Sequence, residues 1–421
     1  MVENWIVRWA YRCKPILLQL FPLSWLKKIK KRIIQSGYKK QTVWQRQPYQ
    51  QGMYPEGINL IGSIRAETGL GQSCRLVANS LFHSHYPFII YNYQQAGSLR
   101  QTDSSWDTYI GKKCLYNVNL IHINPHEWGI AWLQMDRSIW DGRYNIGFWL
   151  WELEEFPEEW LPCFQGMDEI WTPSEFTSRS IRKKTELPVY TIPYGMEVEV
   201  EEGYGRSEFG LPEEAFLFLM MYDSNSITER KNPLGVIRAF QKAFSIENRK
   251  VGLVIKGDWS EKKEAEKWKD LFCGYQTIYM IADTFEKKRV NSLIACVDAV
   301  VSLHRAEGFG LVLAEAMFLG IPTIATNWSS NTEFMNSEIA CMVDYSLVEI
   351  EEDQGPFRKG EHWADADLEQ AAEYMKKLAE DREFGREMAE KAKKQIRQVL
   401  SVEQAAEKID RRMEEIRKKR I

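Results

Sequence analysis

The chain has 421 residues, 44% of them hydrophobic and 27% charged, with a net charge of −4. That length exceeds one ordinary core and predicts two domains, and the near-neutral balance excludes bulk electrostatic attraction to nucleic acid. The cysteines are scattered without a C-x-x-C pair, which reads as reduced thiols in a cytosolic protein.

Residues 1–50 form a basic amphipathic extension. Between 1 and 40 the bases are Arg8, Arg12, Lys14, Lys27, Lys28, Lys30, Lys31, Arg32, Lys39 and Lys40, against the single acid Glu3. The uncharged run from Pro15 to Leu26 carries two prolines. It is shorter than the roughly 20 apolar residues a spanning helix needs. Arg8, Arg12 and Lys14 interrupt the apolar region, and no small-residue cleavage site follows, so a signal peptide is not expected. Two readings stay open. One is peripheral contact with the inner face of a cell membrane through residues 1–40; the other is a helix packed on its own protein or a partner.

From residue 57 strand-like and helix-like stretches alternate. "INLIGSI" (58–64), "FIIYNY" (88–93), "VNLIHIN" (118–124), "YNIGFWLW" (144–151), "DEIWTPS" (168–174) and "VYTIPYG" (189–195) read as strands. The acidic, glycine-containing stretch 196–214 reads as an interdomain linker. A second series follows in "FLFLMMYD" (216–223), "VGLVIKG" (251–257), "QTIYMIA" (276–282), "DAVVSLH" (298–304) and "IPTIAT" (321–326). "NPLGVIRAFQKAF" (232–244) reads as a helix with Pro233 in its first turn, and long charged helices at 368–397 and 402–420 end the chain. The alternation predicts an α/β protein with two parallel, helix-covered sheets, whose ligands gather beyond the strands' carboxyl ends. Two such sheets facing each other would make a cleft.

The stretch "HRAEGFGLVLAEAM" (304–317) sets Glu307 and Glu315 around Gly308-Phe309-Gly310 at a strand-to-helix turn. Glycines allow close backbone approach, and a helix N-terminus suits phosphate, so the amides of Phe309, Gly310 and Leu311 are candidate anion ligands. Carboxylates clamp adjacent hydroxyls of a sugar ring. A nucleotide-sugar has hydroxyl-bearing rings on either side of its diphosphate and gives each group a partner. A plain glycine turn with two exposed acids fits the bare spacing equally well.

These residues resemble glycosyltransferase family 4, retaining enzymes of the GT-B fold. The likeness runs through "GIPTIATNWSSNTEFM", "MVDYSLVEI", "SITERKNPLGVIRAF", "INLIGSIRAETGLGQSCR" and "IGFWLWELEEFPEEW". It extends to members that build bacterial surface polysaccharides, and leaves residues 1–50 outside. The resemblance implies two Rossmann-like doubly wound domains facing a cleft: an acceptor domain at 51–200, completed by a helix at 402–421, and a nucleotide-sugar donor domain at 201–401. It implies that Glu315 holds ribose hydroxyls, Glu307 the transferred sugar, and Gly308, Phe309 and Gly310 the diphosphate. Arg230 and Lys231, in "YDSNSITERKNP", are the candidates for stabilising the leaving diphosphate. Many members carry Gly-Arg just after that strand; here stands Tyr222-Asp223-Ser224, and Lys256 is a further candidate cation. Base recognition is expected from backbone between Tyr279 and Ala282, Ile281 included.

In the first domain the resemblance implies that Gly69 and Gly71 of "TGLG" let their loop approach donor and acceptor, and it puts Glu152 in the region where many relatives carry a histidine, as a candidate to orient the acceptor hydroxyl or take its proton. His126 and Trp151 are candidate acceptor contacts, with core packing the alternative for the tryptophans. Asp365-x-Asp367 resembles a metal-binding D-x-D but precedes a helix, where Asp commonly caps, and no metal or other cofactor is expected. The function read from this is transfer of a sugar from a nucleoside-diphosphate sugar to a glycan or lipid-linked acceptor. The alternative is a catalytically silent GT-B partner or glycan-binding subunit.

Overall fold

The computed structural model describes residues 21–43, 46–94, 100–223, 226–257, 270–272 and 274–418. The chain divides into two units, Met1–Gly195 with Val402–Ile421, and Met196–Ser401. The stretch expected as a linker is instead docked on the second unit. There Arg206 hydrogen-bonds the carbonyls of Cys296, Glu213 and Ala215 and pairs with Asp298 at 2.6 Å. A guanidinium that satisfies four acceptors fixes the backbone around it.

In the first unit α1 (Leu23–Val43) precedes β1 (Ile58–Gly62), α2 (Gly69–Phe82), β2 (Phe88–Asn92), β3 (Val118–His122) and α3 (Pro125–Gln134). Then come β4 (Tyr144–Phe148), β5 (Glu169–Thr172), α4 (Glu175–Arg182) and β6 (Val189–Thr191). All neighbouring strands are parallel, in the order β2-β1-β3-β4-β5-β6. Strands β1, β3, β4 and β5 are buried along their whole length, as covered parallel sheets require. Buried Asn59, Asn119 and Asn145 hydrogen-bond in a row across three of them, a polar ladder that a one-residue slip would break.

The returning helix α11 (Val402–Lys418) belongs to this first unit. Its Arg412 pairs with fully buried Glu169 at 2.5 Å, and Glu169 also accepts from Tyr144 and Trp171. A buried carboxylate with this many donors is satisfied, and removing Arg412 would strand it.

Helix α1 packs against α3. A Cβ on Gly37 would stand 2.0 Å from the Gly129 carbonyl oxygen, so the two backbones cross closely only because both residues are small. Tyr38 donates to the Pro125 carbonyl and Lys30 pairs with Glu127 at 2.6 Å. Of the two readings of the extension, the described part therefore packs on its own protein along one face. Residues 1–20 lie outside the described residues, as do Cys13 and Cys273.

The second unit contains β7 (Phe216–Met221), α5 (Thr228–Lys231), α6 (Pro233–Ala243), β8 (Val251–Lys256), β9 (Ile278–Ile281) and α7 (Lys287–Ala295). It continues with β10 (Ala299–Ser302), α8 (Leu311–Leu319), β11 (Thr323–Thr326) and β12 (Cys341–Val343). A hairpin of β13 (Tyr345–Glu349) and β14 (His362–Ala366) precedes α9 (Leu368–Glu380) and α10 (Arg382–Val399). The parallel order is β12-β11-β10-β7-β8-β9. The helix expected over 368–397 is two helices, because Asp381 turns the chain and caps α10 through the Phe384 amide. Among the described residues no helix is long and apolar enough to cross a membrane.

Candidate active site

Strand order reverses between β10 and β7, where a doubly wound sheet opens its ligand crevice. The loops leaving these two adjacent strands carry the residues that the sequence singled out. After β7 comes the single turn α5, which ends in Arg230 and Lys231. Asn232 then takes a left-handed conformation (φ 52°) and caps α6 through the Gly235 amide. Its amide group also donates to the Leu303 carbonyl, and the Arg305 N–H donates to the Arg230 carbonyl at 2.7 Å. The β7 loop is thus laced to the β10 loop, which brings both cations to Glu307.

Lys231 hydrogen-bonds the Glu307 carboxylate, and Arg230 stands 3.4 Å from its other oxygen. Glu307 is buried. Burial alone pushes its carboxyl up, but Lys231, Arg230 and His304 outweigh it and hold the pKa at about 2. Its backbone is fixed too: the Glu307 N–H donates to Ser329 Oγ, and Ser330 Oγ donates to the Glu307 carbonyl. Ser329 sits at φ 74°, a strained position for a non-glycine residue, in the loop that supplies these contacts.

Arg230 differs from expectation in its surroundings. Its guanidinium donates to the Ala306 carbonyl at 2.6 Å and to Ser226 Oγ at 2.7 Å, and the residue is buried. It braces the loop that bears Glu307, while Lys231 meets the carboxylate directly.

Gly310 opens α8 at φ 96°, a conformation only glycine adopts without strain, and no side chain among the described residues caps it. Gly308, Phe309 and Leu311 surround that helix start. The Phe309 ring is buried against Phe334, which leaves its role to its backbone. Helix α8 is apolar around its circumference apart from Glu315, whose side chain is only 3% exposed. A carboxylate in such a helix needs a cation, and Lys287 at the start of α7 supplies it at 2.6 Å. Lys287 was not singled out from the sequence. The signal was there: an acid inside an otherwise apolar helix demands a partner.

The other donor-side candidates sit at strand ends. Lys256 ends β8, with its ammonium 5.4 Å from the Phe285 ring centre, and Ile281 ends β9 with its side chain buried. Asp365 pairs with Arg305 at 2.8 Å and Asp367 caps α9 through the amides of Glu369 and Gln370. The D-x-D pair thus has structural partners.

The first unit gathers its candidates differently. Thr68 caps α2 through the Gly71 amide. A Cβ on Gly71 would stand 1.9 Å from the Ala66 carbonyl oxygen, so this glycine serves the close turn, whereas Gly69 faces open space. Glu152 lies half-buried in the loop after β4. His126 opens α3 beside Trp160, and burial lowers its pKa.

Trp151 must be corrected. It is 1% exposed, donates its indole N–H to the Glu155 carbonyl and packs edge-on against Trp160, so it offers no face to a sugar. Trp149 and Trp160 are buried in the same core.

One group here went unread in the sequence. His122, at the end of β3, lies 2.6 Å from Ser73 Oγ, which in turn lies 2.5 Å from the Tyr194 hydroxyl. The ring stacks on Phe148, and burial lowers the His122 pKa to about 4.

Residues 206–395 match the family described as glycosyl transferases group 1. That match covers most of the second unit, which resembles a glycosyltransferase domain. Among solved structures, Anabaena HepE in complex with UDP and glucose is 14% identical, with 86% of this chain and 100% of that chain covered and a TM-score of 0.60. A Rickettsia africae glycosyltransferase is also 14% identical, with 87% and 100% covered and a TM-score of 0.61. The pneumococcal O-GlcNAc transferase GtfA, in complex with UDP and GlcNAc, is 13% identical, with 72% and 57% covered and a TM-score of 0.51. No curated protein matches the sequence. Together with the two parallel six-stranded sheets, these likenesses show a GT-B fold across both units.

Proposed function

We propose that this protein is a retaining glycosyltransferase. It moves a sugar from a nucleoside-diphosphate sugar to a glycan or lipid-linked acceptor in bacterial surface polysaccharide or glycoconjugate synthesis. The carrying observation is the Lys231–Glu307–Arg230 cluster, built by the loops of two adjacent strands beside the uncapped start of α8. Solved relatives bound to UDP make a UDP-sugar the first donor to try.

In this reading the diphosphate rests at the Gly308–Leu311 backbone, where the helix end and Lys231 meet the charge that grows as the glycosidic bond breaks. Glu307, ionised well below neutral pH, accepts hydrogen bonds from the transferred sugar. Glu315 accepts from the ribose. The acceptor oxygen bonds to the anomeric carbon on the face the phosphate leaves, and the departing phosphate oxygen takes its proton. Positive charge comes from side chains and the helix end, so the reading assigns no metal. The setting it implies is the cytoplasmic side of a cell membrane.

The test is a transfer assay across UDP- and GDP-sugars, read with anomer-resolved product analysis and repeated with a chelator present. Retention of anomeric configuration is expected, with activity lost in Glu307→Ala, Glu315→Ala and Lys231→Ala. Full transfer by all three variants would reject the site, and inversion would reject the mechanism. Failure of every nucleotide-sugar to raise thermal stability would favour the silent-partner reading.

A further inference from the structure

We infer that the outward face of α1 is a docking surface for an anionic lipid bilayer. One face of this helix is occupied: Gly37 and Tyr38 are buried against α3, and Lys30 is tied to Glu127. Helical spacing puts Trp25, Lys28 and Arg32 together on the opposite side. Trp25 is 46% exposed, and Phe21, 39% exposed, stacks on it with ring centres 4.7 Å apart. Lys28 and Arg32 are exposed, and among the described residues neither forms an ion pair. The helix contains no acid anywhere in its sequence, and the twenty-two residues before it add Arg8, Arg12 and Lys14 against Glu3.

An exposed Trp–Phe pair at one end of a one-signed cationic face matches the boundary between lipid headgroups and acyl chains. The rings enter that boundary and the cations meet anionic headgroups. A polyanion in solution would satisfy the cations but gives the aromatic pair no apolar medium. The close α1–α3 crossing holds the face rigidly on the first unit. Binding therefore does not require the helix to form at the surface and carries less ordering cost than a free peptide would.

The inference is separate from donor chemistry, and its test can fail independently. The full chain is sedimented with phosphatidylcholine vesicles and with vesicles that also contain phosphatidylglycerol. Binding is expected only with the anionic lipid and is expected to weaken as salt is raised. Each cation at such a surface contributes roughly fivefold in affinity, so Lys28→Glu with Arg32→Glu is expected to weaken binding by at least about tenfold. The charge-preserving Lys28→Arg is expected to bind as the wild type does. Phe21→Ala with Trp25→Ala is expected to reduce vesicle binding several-fold while leaving retention on heparin unchanged. Transfer to a water-soluble acceptor is expected to be unaltered in all of these variants.

Equal binding to neutral and anionic vesicles, or no change in the Phe21/Trp25 variant, would overturn the inference. Lipid-independent self-association abolished by that variant would also overturn it, and would reassign the face to a second copy of the chain.

Discussion

The two units repeat one architecture and fill its switch point with opposite chemistry. In the second, the loops after β7 and β10 deliver Arg230, Lys231 and Glu307, and α7 and α8 add Lys287 and Glu315. In the first, the matching region after β1 and β3 holds Ser73, His122 and Tyr194, a network kept neutral by burial. A parallel sheet therefore dictates where a site forms but not what it binds. The charged set suits a phosphorylated, hydroxyl-rich ligand; the neutral network stiffens the loop region of its unit without holding a charge.

The strongest way to break this contrast is to remove charge from the second unit. Glu307→Ala strands two buried or half-buried cations. It is expected to cost about 3–5 kcal/mol of stability, measured by denaturant unfolding. Lys231→Ala removes the half-buried cation of the same cluster and is expected to lower kcat about 100- to 1000-fold in the transfer assay. Arg230→Lys tests the bracing role. It keeps the charge but loses the forked donation to Ala306 and Ser226, so reduced thermal stability is expected along with reduced activity.

Acid titration sharpens the contrast from the other side. His122 has its pKa lowered from 6.5 to about 4, so the unfolded chain binds more protons than the folded one across that window. The stabilisation is complete above the unfolded value and is lost as pH falls from 6.5 toward 4, in total about 3 kcal/mol. Glu307 acts lower, its contribution present above the ordinary carboxylate value of 4.5 and lost as pH falls toward 2. His126 and His304 are lowered in the same direction as His122, so the three histidines must be separated by substitution. His122→Gln is expected to flatten the first part of the stability–pH curve, measured by urea unfolding at several pH values. An unchanged slope would show that the network is not neutral by burial.

A smaller effect separates Gly69 from Gly71. Gly71→Ala pushes a methyl group into the Ala66 carbonyl and is expected to destabilise by about 1–3 kcal/mol. Gly69→Ala meets nothing within 4 Å and is expected to leave stability unchanged or to raise it by roughly 0.4–1 kcal/mol. If Gly69→Ala instead weakens donor binding while the fold holds, the open space beside it is ligand space, as its sequence context predicts.

What the sequence disclosed follows the range of each signal. All six strands of the first sheet were legible because each is a short apolar run set between helix-like stretches. The loop 304–317 was legible because a glycine-bracketed turn between strand and helix is local. Strand β12 escaped notice, as did the β13–β14 hairpin, whose β13 is largely exposed and lacks an apolar rhythm. Trp151 misled because a large ring reads alike in a core and in a binding surface. Its burial depends on Trp160 and on the Glu155 carbonyl, contacts set by the turn after β4. His122 and Lys287 were missed for a common reason: each gains its meaning from a residue on another element, Ser73 or Glu315.

Lys287 makes the last test, and the subtlest. Its ammonium neutralises Glu315 inside an apolar helix and so fixes the carboxylate that the proposed function assigns to the ribose. Because the lysine is partly exposed, Lys287→Ala admits water to Glu315 rather than leaving a bare buried charge, and the fold is expected to survive. A carboxylate that is less well oriented binds donor more weakly without touching the bond being broken. The expected result is therefore a donor KM raised about tenfold with kcat nearly unchanged, the mark of lost uniform binding. Lys287→Arg restores a cation and should recover most of the affinity. Equal losses in kcat and kcat/KM would place Lys287 at the transition state instead, and would move the boundary of the charged cluster outward to include it.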